Sequence, residues 1–218
     1  MPVEVKICGL STPATMAAAL AAGADLVGLV FFAKSPRNVS LVDAARLADL
    51  ARGRAKVVAL MVDADDDFAD NIASTVRPDL LQLHGSETPA RAAAIRARYG
   101  LPVMKAIGVA SRVDVERARS YLDVVDRILF DAKPAPGASL PGGNGAAFDW
   151  TMIAGLGETL PFMLSGGLDP LNVADAIKIT AAGAVDVSSG VETAPGVKSE
   201  RLIEAFMTAA RGGIDRNG

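Results

Sequence analysis

The sequence predicts an α/β protein whose strand–helix units close into a (β/α)8 barrel. Three observations carry that prediction. Short apolar runs alternate with longer helical patterns from one end of the chain to the other. The alternation returns eight times across 218 residues, or roughly every 27 residues, a spacing that fits consecutive βαβ crossovers. Several of the runs are apolar on both faces, as strands are when helices cover one side of a sheet and packed side chains fill the other. An open doubly wound sheet is the rival arrangement. The repeated rhythm, without a large irregular insert, favours closure, and 218 residues is short for such a barrel, so the connections must be tight.

Val3–Ile7 reads as the first strand, followed by a helix over Thr12–Ala21 with Ser11 or Thr12 as its cap and Gly23 beyond its end. Asp25–Phe31 and the helix Ser40–Leu50 form the second unit. Ala55–Val62 leads to a helix at about Asp65–Thr75, and Asp79–Leu83 leads to Glu87–Tyr99. Val103–Ile107 leads to Val113–Tyr121. Arg127–Phe130 continues through a long glycine-rich loop into a short helix near Trp150–Ala154. Phe162–Leu164 precedes a helix over Leu171–Ile179, with Asp169 as cap and Pro170 at the first helical position. Val185–Val187 leads through a polar turn to a last helix near Ser199–Ala210. No linker divides the chain, so residues 1–218 are expected to form one catalytic domain.

Composition narrows the function. The chain has 22 basic and 25 acidic side chains, a formal net charge of -3, which offers no general attraction to nucleic acid or anionic membrane. No apolar stretch is long enough to span a bilayer, and the N-terminus lacks the basic and apolar regions of a secretory signal. One cysteine permits no internal disulfide, and one histidine makes a zinc cluster implausible. A cytoplasmic protein without metal or cofactor is expected, with monomer and homodimer both open. The run Asp63, Asp65, Asp66, Asp67 lacks a calcium-loop pattern and fits a solvated helix start.

In this fold the active site lies at the C-terminal ends of the strands. Polar residues gather there. Lys6 and Cys8 share a face of strand one, Gln82 and His84 of strand four, and Asp186 and Ser188 of strand eight; Lys105 lies on strand five and Asp131 ends strand six. Strands one and eight are neighbours in a closed barrel, so Lys6 and Asp186 are expected to pair. Each residue alone could be a surface strand end; the repetition over five strands argues for a shared polar mouth. A lone cysteine such as Cys8 is usually a small buried hydrophobe. Beside Lys6, however, its thiolate is expected to be favoured, which suits a base, and Asp131 across the mouth suits an acid. His84 has at most a secondary role, lining the pocket or orienting a neighbour.

The last two strands end in Ser165-Gly166-Gly167-Leu168-Asp169 and Ser188-Ser189-Gly190-Val191-Glu192. Glycine lets backbone N–H groups approach an anion, serine adds hydroxyl donors, and these two loops recurrently hold phosphate in the fold. A phosphate-binding type of barrel, with a small phosphorylated molecule as ligand, is therefore expected. Pro141-Gly142-Gly143-Asn144-Gly145 lacks the pattern of a nucleotide P-loop and reads either as a closing lid or as a surface crossover.

Taken in order, Lys6-Ile7-Cys8-Gly9, Gly28-Leu29-Val30-Phe31, Ser35-Pro36-Arg37, Gln82-Leu83-His84-Gly85, Leu129-Phe130-Asp131, Gly142–Gly145 with Phe148-Asp149-Trp150, Ser165–Leu168 and Asp186–Glu192 resemble the phosphoribosylanthranilate isomerase family of tryptophan biosynthesis. The resemblance runs from Val3 to about Ala210. It implies a TIM barrel that converts N-(5-phospho-β-D-ribosyl)anthranilate to 1-(2-carboxyphenylamino)-1-deoxy-D-ribulose 5-phosphate by an Amadori rearrangement. It further implies Asp131 as general acid, Cys8 as general base, Arg37 on the anthranilate carboxylate, and backbone groups around Gly166, Gly167, Ser188 and Ser189 on the phosphate. Asn144 stands where the family usually has threonine, which is expected to alter loop order or turnover without abolishing function. A histidine-pathway isomerase would favour an aspartate at the position of Cys8, and indole-glycerol-phosphate synthase a lysine and glutamate arrangement not seen here. A non-catalytic sugar-phosphate binder is the rival of another class.

Overall fold

A computed structural model of the chain describes residues 2–133, 142, 147–158 and 160–212. The eight parallel strands are β1 (Glu4–Cys8), β2 (Leu26–Phe31), β3 (Lys56–Met61), β4 (Leu80–Leu83), β5 (Val103–Val109), β6 (Arg127–Ala132), β7 (Phe162–Leu164) and β8 (Ala184–Val187). They form a closed barrel in chain order, β8 pairing back onto β1. The α-helices are α1 (Pro13–Ala21), α2 (Leu41–Ala51), α3 (Asp66–Val76), α4 (Pro89–Tyr99), α5 (Arg112–Arg117), α6 (Val173–Thr180) and α7 (Glu200–Gly212). Among the described residues no helix is long and apolar enough to cross a membrane.

Local chemistry sets most helix starts. Thr12, Ser40, Asp65 and Thr88 are in extended conformation, and each accepts a hydrogen bond from a backbone N–H three residues on. Thr12 rather than Ser11 is thus the first cap. Thr88 starts α4 at Pro89, two residues later than the sequence suggested. Asp65 caps α3, and Asp66 and Asp67 lie in its first turn, which accounts for much of the acidic run. Asp169 accepts from the N–H groups of Leu171 and Asn172, closing a turn ahead of α6, so Pro170 lies outside that helix.

Two further differences lie beside the mouth. Between β6 and β7 the described residues form short 3-10 segments, Trp150–Ile153 and Leu156–Glu158, where a helix was expected. Asp149 accepts from Thr151 N–H and holds the first as a tight turn. After β8 the chain makes a small antiparallel hairpin, β9 (Glu192–Ala194) and β10 (Val197–Lys198).

Side-chain alternation divides the interior in two. One residue or more from each of β2 to β8 meets inside the barrel: Leu26, Val58, Leu80, Met104 and Ala106, Leu129, Met163 and Ala184. The opposite faces supply the larger core between strands and helices. Met104 and Ala106 point inward, so Lys105 between them points outward. It is buried there, donating to Leu83 O, Gly85 O and Glu87 Oε2, and it does not belong to the polar mouth. The inner apolar layer closes the barrel below and leaves the ends of β1, β4, β6, β7 and β8 to carry polar groups.

The helix α7 closes the outer ring by packing between α1 and α6. Its Phe206 is fully buried, whereas Val113 at α5 is 77% exposed. Phe206→Ala is expected to cost about 3–5 kcal/mol and lower the urea midpoint. Val113→Ala should change stability by less than about 0.5 kcal/mol. Equal midpoints for the two variants would contradict the packing described.

Candidate active site

The register of β1 against β8 places Lys6 directly beside Asp186. Their side chains meet inside the barrel at 2.9 Å, both essentially inaccessible to water. The second oxygen of Asp186 accepts from Ser165 Oγ at 3.2 Å, tying the end of β7 to the same pair. Burial alone would drop the Lys6 ammonium below its ordinary pKa; Asp186, and then Cys8, more than reverse this and raise it.

Cys8 lies one step above Lys6 on the same face and packs with inward Val30 and Leu60. Its strand neighbour is Gly28. A Cβ on Gly28 would stand 2.8 Å from Cys8 Sγ and 3.2 Å from Lys6 Nζ, so the bare glycine makes room for thiol and ammonium together. The expectation of a favoured thiolate is corrected: burial pushes the Cys8 thiol up, and Lys6 pulls it only part of the way back. The reason is the company Lys6 keeps. Asp186 balances its charge and itself disfavours a neighbouring thiolate.

Across the barrel, Asp131 ends the inner face of β6. Its Oδ2 lies 3.1 Å from His84 Nε2, and its Oδ1 accepts from Ala132 N–H at 2.8 Å. His84 Nδ1 in turn lies 3.0 Å from Gln82 Nε2. The lone histidine is thus a hydrogen-bonding neighbour of the carboxyl group. Gly142, from the loop after β6, passes directly over them: a Cβ there would be 2.5 Å from Asp131 Oδ2 and 2.6 Å from His84 Nε2. Asn144 lies outside the described residues.

Arg37 is buried, and its Nε and Nη2 donate to the two oxygens of Glu192 at 2.7 and 2.8 Å. Its stem lies against Gly9, the residue after Cys8. Lys198, from β10, also binds Glu192, at 2.7 Å, and donates to Ser188 O and Oγ. Burial would raise the Glu192 carboxyl, but Arg37 and Lys198 hold it below its ordinary value. Ser188 Oγ donates to Cys8 O at 3.2 Å. Glu192 and Lys198 were not singled out from sequence. The cue was Pro195-Gly196, a turn signal between two short polar runs.

The Gly166 and Gly167 amides at the end of β7 donate to no other described residue. Gly190, in the loop after β8, sits tightly against Leu168 and Asp169, so these two loops form one surface. Among the described residues no cluster of three or more His, Cys, Asp or Glu could hold a metal ion. The arrangement has a thiol and a carboxyl facing one mouth, a cation beside the thiol, a buried guanidinium at one edge and unclaimed amides at another. It can carry out acid–base work on a small molecule anionic at both ends.

Because the chain has one cysteine, its ultraviolet thiolate absorbance, referenced to Cys8→Ser, titrates a single group. In the free protein the midpoint should lie above the ordinary 9.0, leaving less thiolate at neutral pH than an exposed cysteine has. A midpoint below 9.0 would contradict the charge balance described.

Comparison with known proteins identifies relatives along nearly the whole chain. The family model for N-(5'phosphoribosyl)anthranilate isomerase matches residues 5–209. An N-(5'-phosphoribosyl)anthranilate isomerase of Rhodopseudomonas palustris (strain BisA53) is 64% identical over 211 residues, covering 97% of each chain. The enzyme of that name from Mesorhizobium japonicum is 54% identical over 215 residues, 99% of this chain and 98% of the other. The crystal structure of phosphoribosyl anthranilate isomerase from Thermotoga maritima superposes with a TM-score of 0.86 at 36% identity, over 96% of this chain and 99% of that one. A phosphoribosyl anthranilate isomerase solved with reduced 1-(o-carboxyphenylamino)-1-deoxyribulose 5-phosphate superposes with a TM-score of 0.84. The chain belongs to the N-(5'-phosphoribosyl)anthranilate isomerase family.

Proposed function

We propose that Cys8 and Asp131 divide the acid–base work of the family's reaction in this chain. The chain is an isomerase of tryptophan biosynthesis that turns N-(5-phospho-β-D-ribosyl)anthranilate into 1-(2-carboxyphenylamino)-1-deoxy-D-ribulose 5-phosphate. In the proposed course Asp131 gives a proton to the furanose ring oxygen as the bond from that oxygen to C1 breaks. The nitrogen lone pair forms the C1–N double bond, leaving a cationic Schiff base. Cys8, as thiolate, removes the proton on C2; the freed electron pair forms a C1–C2 double bond and the nitrogen recovers its lone pair. The enol hydroxyl then loses its proton, C1 gains one, and the ketone results.

The single observation that carries this reading is the facing of Cys8 and Asp131 into one mouth, with His84 within hydrogen-bond distance of the carboxyl group. The raised thiol fits a base needed only after ring opening, since the cationic Schiff base beside it offsets the cost of a buried thiolate. Arg37, its plane fixed by Glu192, meets the anthranilate carboxylate. The amides of Gly166 and Gly167, with the Ser188 and Ser189 segment, take the phosphate. Holding both ends places the sugar carbons between base and acid. Lys6 and Asp186 act beneath them as a fixed charge pair. We further assign the whole of residues 1–218 to one catalytic domain acting in the cytoplasm as monomer or homodimer, a reading supported by the lone free cysteine.

A fluorescence assay with N-(5-phosphoribosyl)anthranilate tests the roles. Asp131→Asn and Cys8→Ala should each lower turnover by at least about 100-fold while the fold is retained. A small effect of either change would require a new assignment of the acid or the base.

A further inference from the structure

We propose that Gln82 is a positioning residue that allows the His84–Asp131 pair to hold its proton in two arrangements, by presenting either its amide nitrogen or its amide oxygen to His84 Nδ1. The inference rests on the reading of Asp131 as the acid.

Gln82 and His84 are two residues apart on the inner face of the β4 segment, so Gln82 lies one level deeper in the barrel, fully buried. Its Nε2 lies 3.0 Å from His84 Nδ1, while His84 Nε2 lies 3.1 Å from Asp131 Oδ2. An amide nitrogen only donates, so Nδ1 accepts here, and the ring hydrogen of neutral His84 sits on Nε2 and is donated to the carboxylate. This is the proton-poor form of the pair. Asp131 in this form has nothing to give a sugar oxygen.

Loading the pair takes one proton from water. Asp131 Oδ1 already accepts from Ala132 N–H, so the added proton lies between Oδ2 and Nε2. If it resides on Oδ2, Nε2 accepts and the ring hydrogen moves to Nδ1. If it resides on the ring, His84 is an imidazolium with hydrogen on both nitrogens. In either case Nδ1 becomes a donor and needs an acceptor. Gln82 Oε1 is buried without a hydrogen-bond partner among the described residues. A half-turn of the terminal amide exchanges Nε2 for Oε1 at nearly the same place. The oxygen that costs stability unpaired in one form is therefore satisfied in the other. Ring opening then passes the stored proton to the substrate, and Gln82 itself neither gains nor loses one. Gly142 adds no side chain of its own above the pair to compete for these bonds.

The single histidine makes the test direct, because protein labelled with 15N-histidine gives one imidazole. In the wild type at mildly alkaline pH the spectrum should show the Nε2–H tautomer. Gln82→Met keeps the side-chain length without hydrogen bonds; it should lose the tautomer preference and lower kcat by about 10-fold, less than loss of the acid itself. Its KM should stay within about twofold, since Gln82 is fully buried one level below His84. Gln82→Glu, as carboxylate, offers only acceptors, so His84 Nδ1 should carry hydrogen under the conditions in which the wild-type Nδ1 is bare. A mere space-filling role would move neither signature. Folded variants that keep the Nε2–H spectrum and wild-type kcat would overturn the proposal. If the Met variant does not fold, the Nδ1 signal of the Glu variant decides alone. If Asp131→Asn keeps full turnover while the tautomers shift as described, the acid assignment falls and the hydrogen-bond role of Gln82 stands. Unshifted tautomers with an inactive Asp131→Asn enzyme have the opposite meaning.

Discussion

The ion pair of Lys6 with Asp186 is the constraint on which the rest of the mouth depends. It joins the first strand to the last, at the seam where the barrel closes, and it is sealed from water on both sides. Removing either partner would leave an uncompensated charge in an apolar interior, which is far costlier than removing both. Ala184 precedes Asp186 on the inner face of β8, and Cys8 follows Lys6 on the inner face of β1.

The same pair governs the reactivity of the thiol. An isolated ammonium beside Cys8 would promote thiolate, but an ammonium already matched by a carboxylate does so weakly, and burial prevails. The free site therefore holds a quiet thiol next to a polarisable charge arrangement. The chemistry proposed for Cys8 needs a cation that ring opening generates from the substrate, which couples base activation to that step.

Much of this was legible in the residues. The eightfold alternation gives the barrel, and period-two alternation on β1 and β8 gives the Lys6–Asp186 pair, because neighbouring strands with polar residues at equal depth must place them side by side. Period-two alternation also shows why Lys105 faces outward, once Met104 and Ala106 are recognised as the inner set. The net effect on Cys8 was not legible, since it depends on distances between three charges and on burial. Nor was the Arg37–Glu192–Lys198 cluster, whose members come from a loop, a hairpin strand and its partner and meet only in three dimensions. The segment between β6 and β7 misled because a short apolar run flanked by Asp149 and Gly155 fits one helical turn as well as a 3-10 turn.

A double-mutant cycle on the seam tests the central claim most directly. Lys6→Met and Asp186→Leu should each lower unfolding free energy by about 3–5 kcal/mol, and the double variant should lose at least about 1 kcal/mol less than their sum. Additivity within about 0.5 kcal/mol would show that the two charges do not support one another and would contradict this account of the barrel mouth.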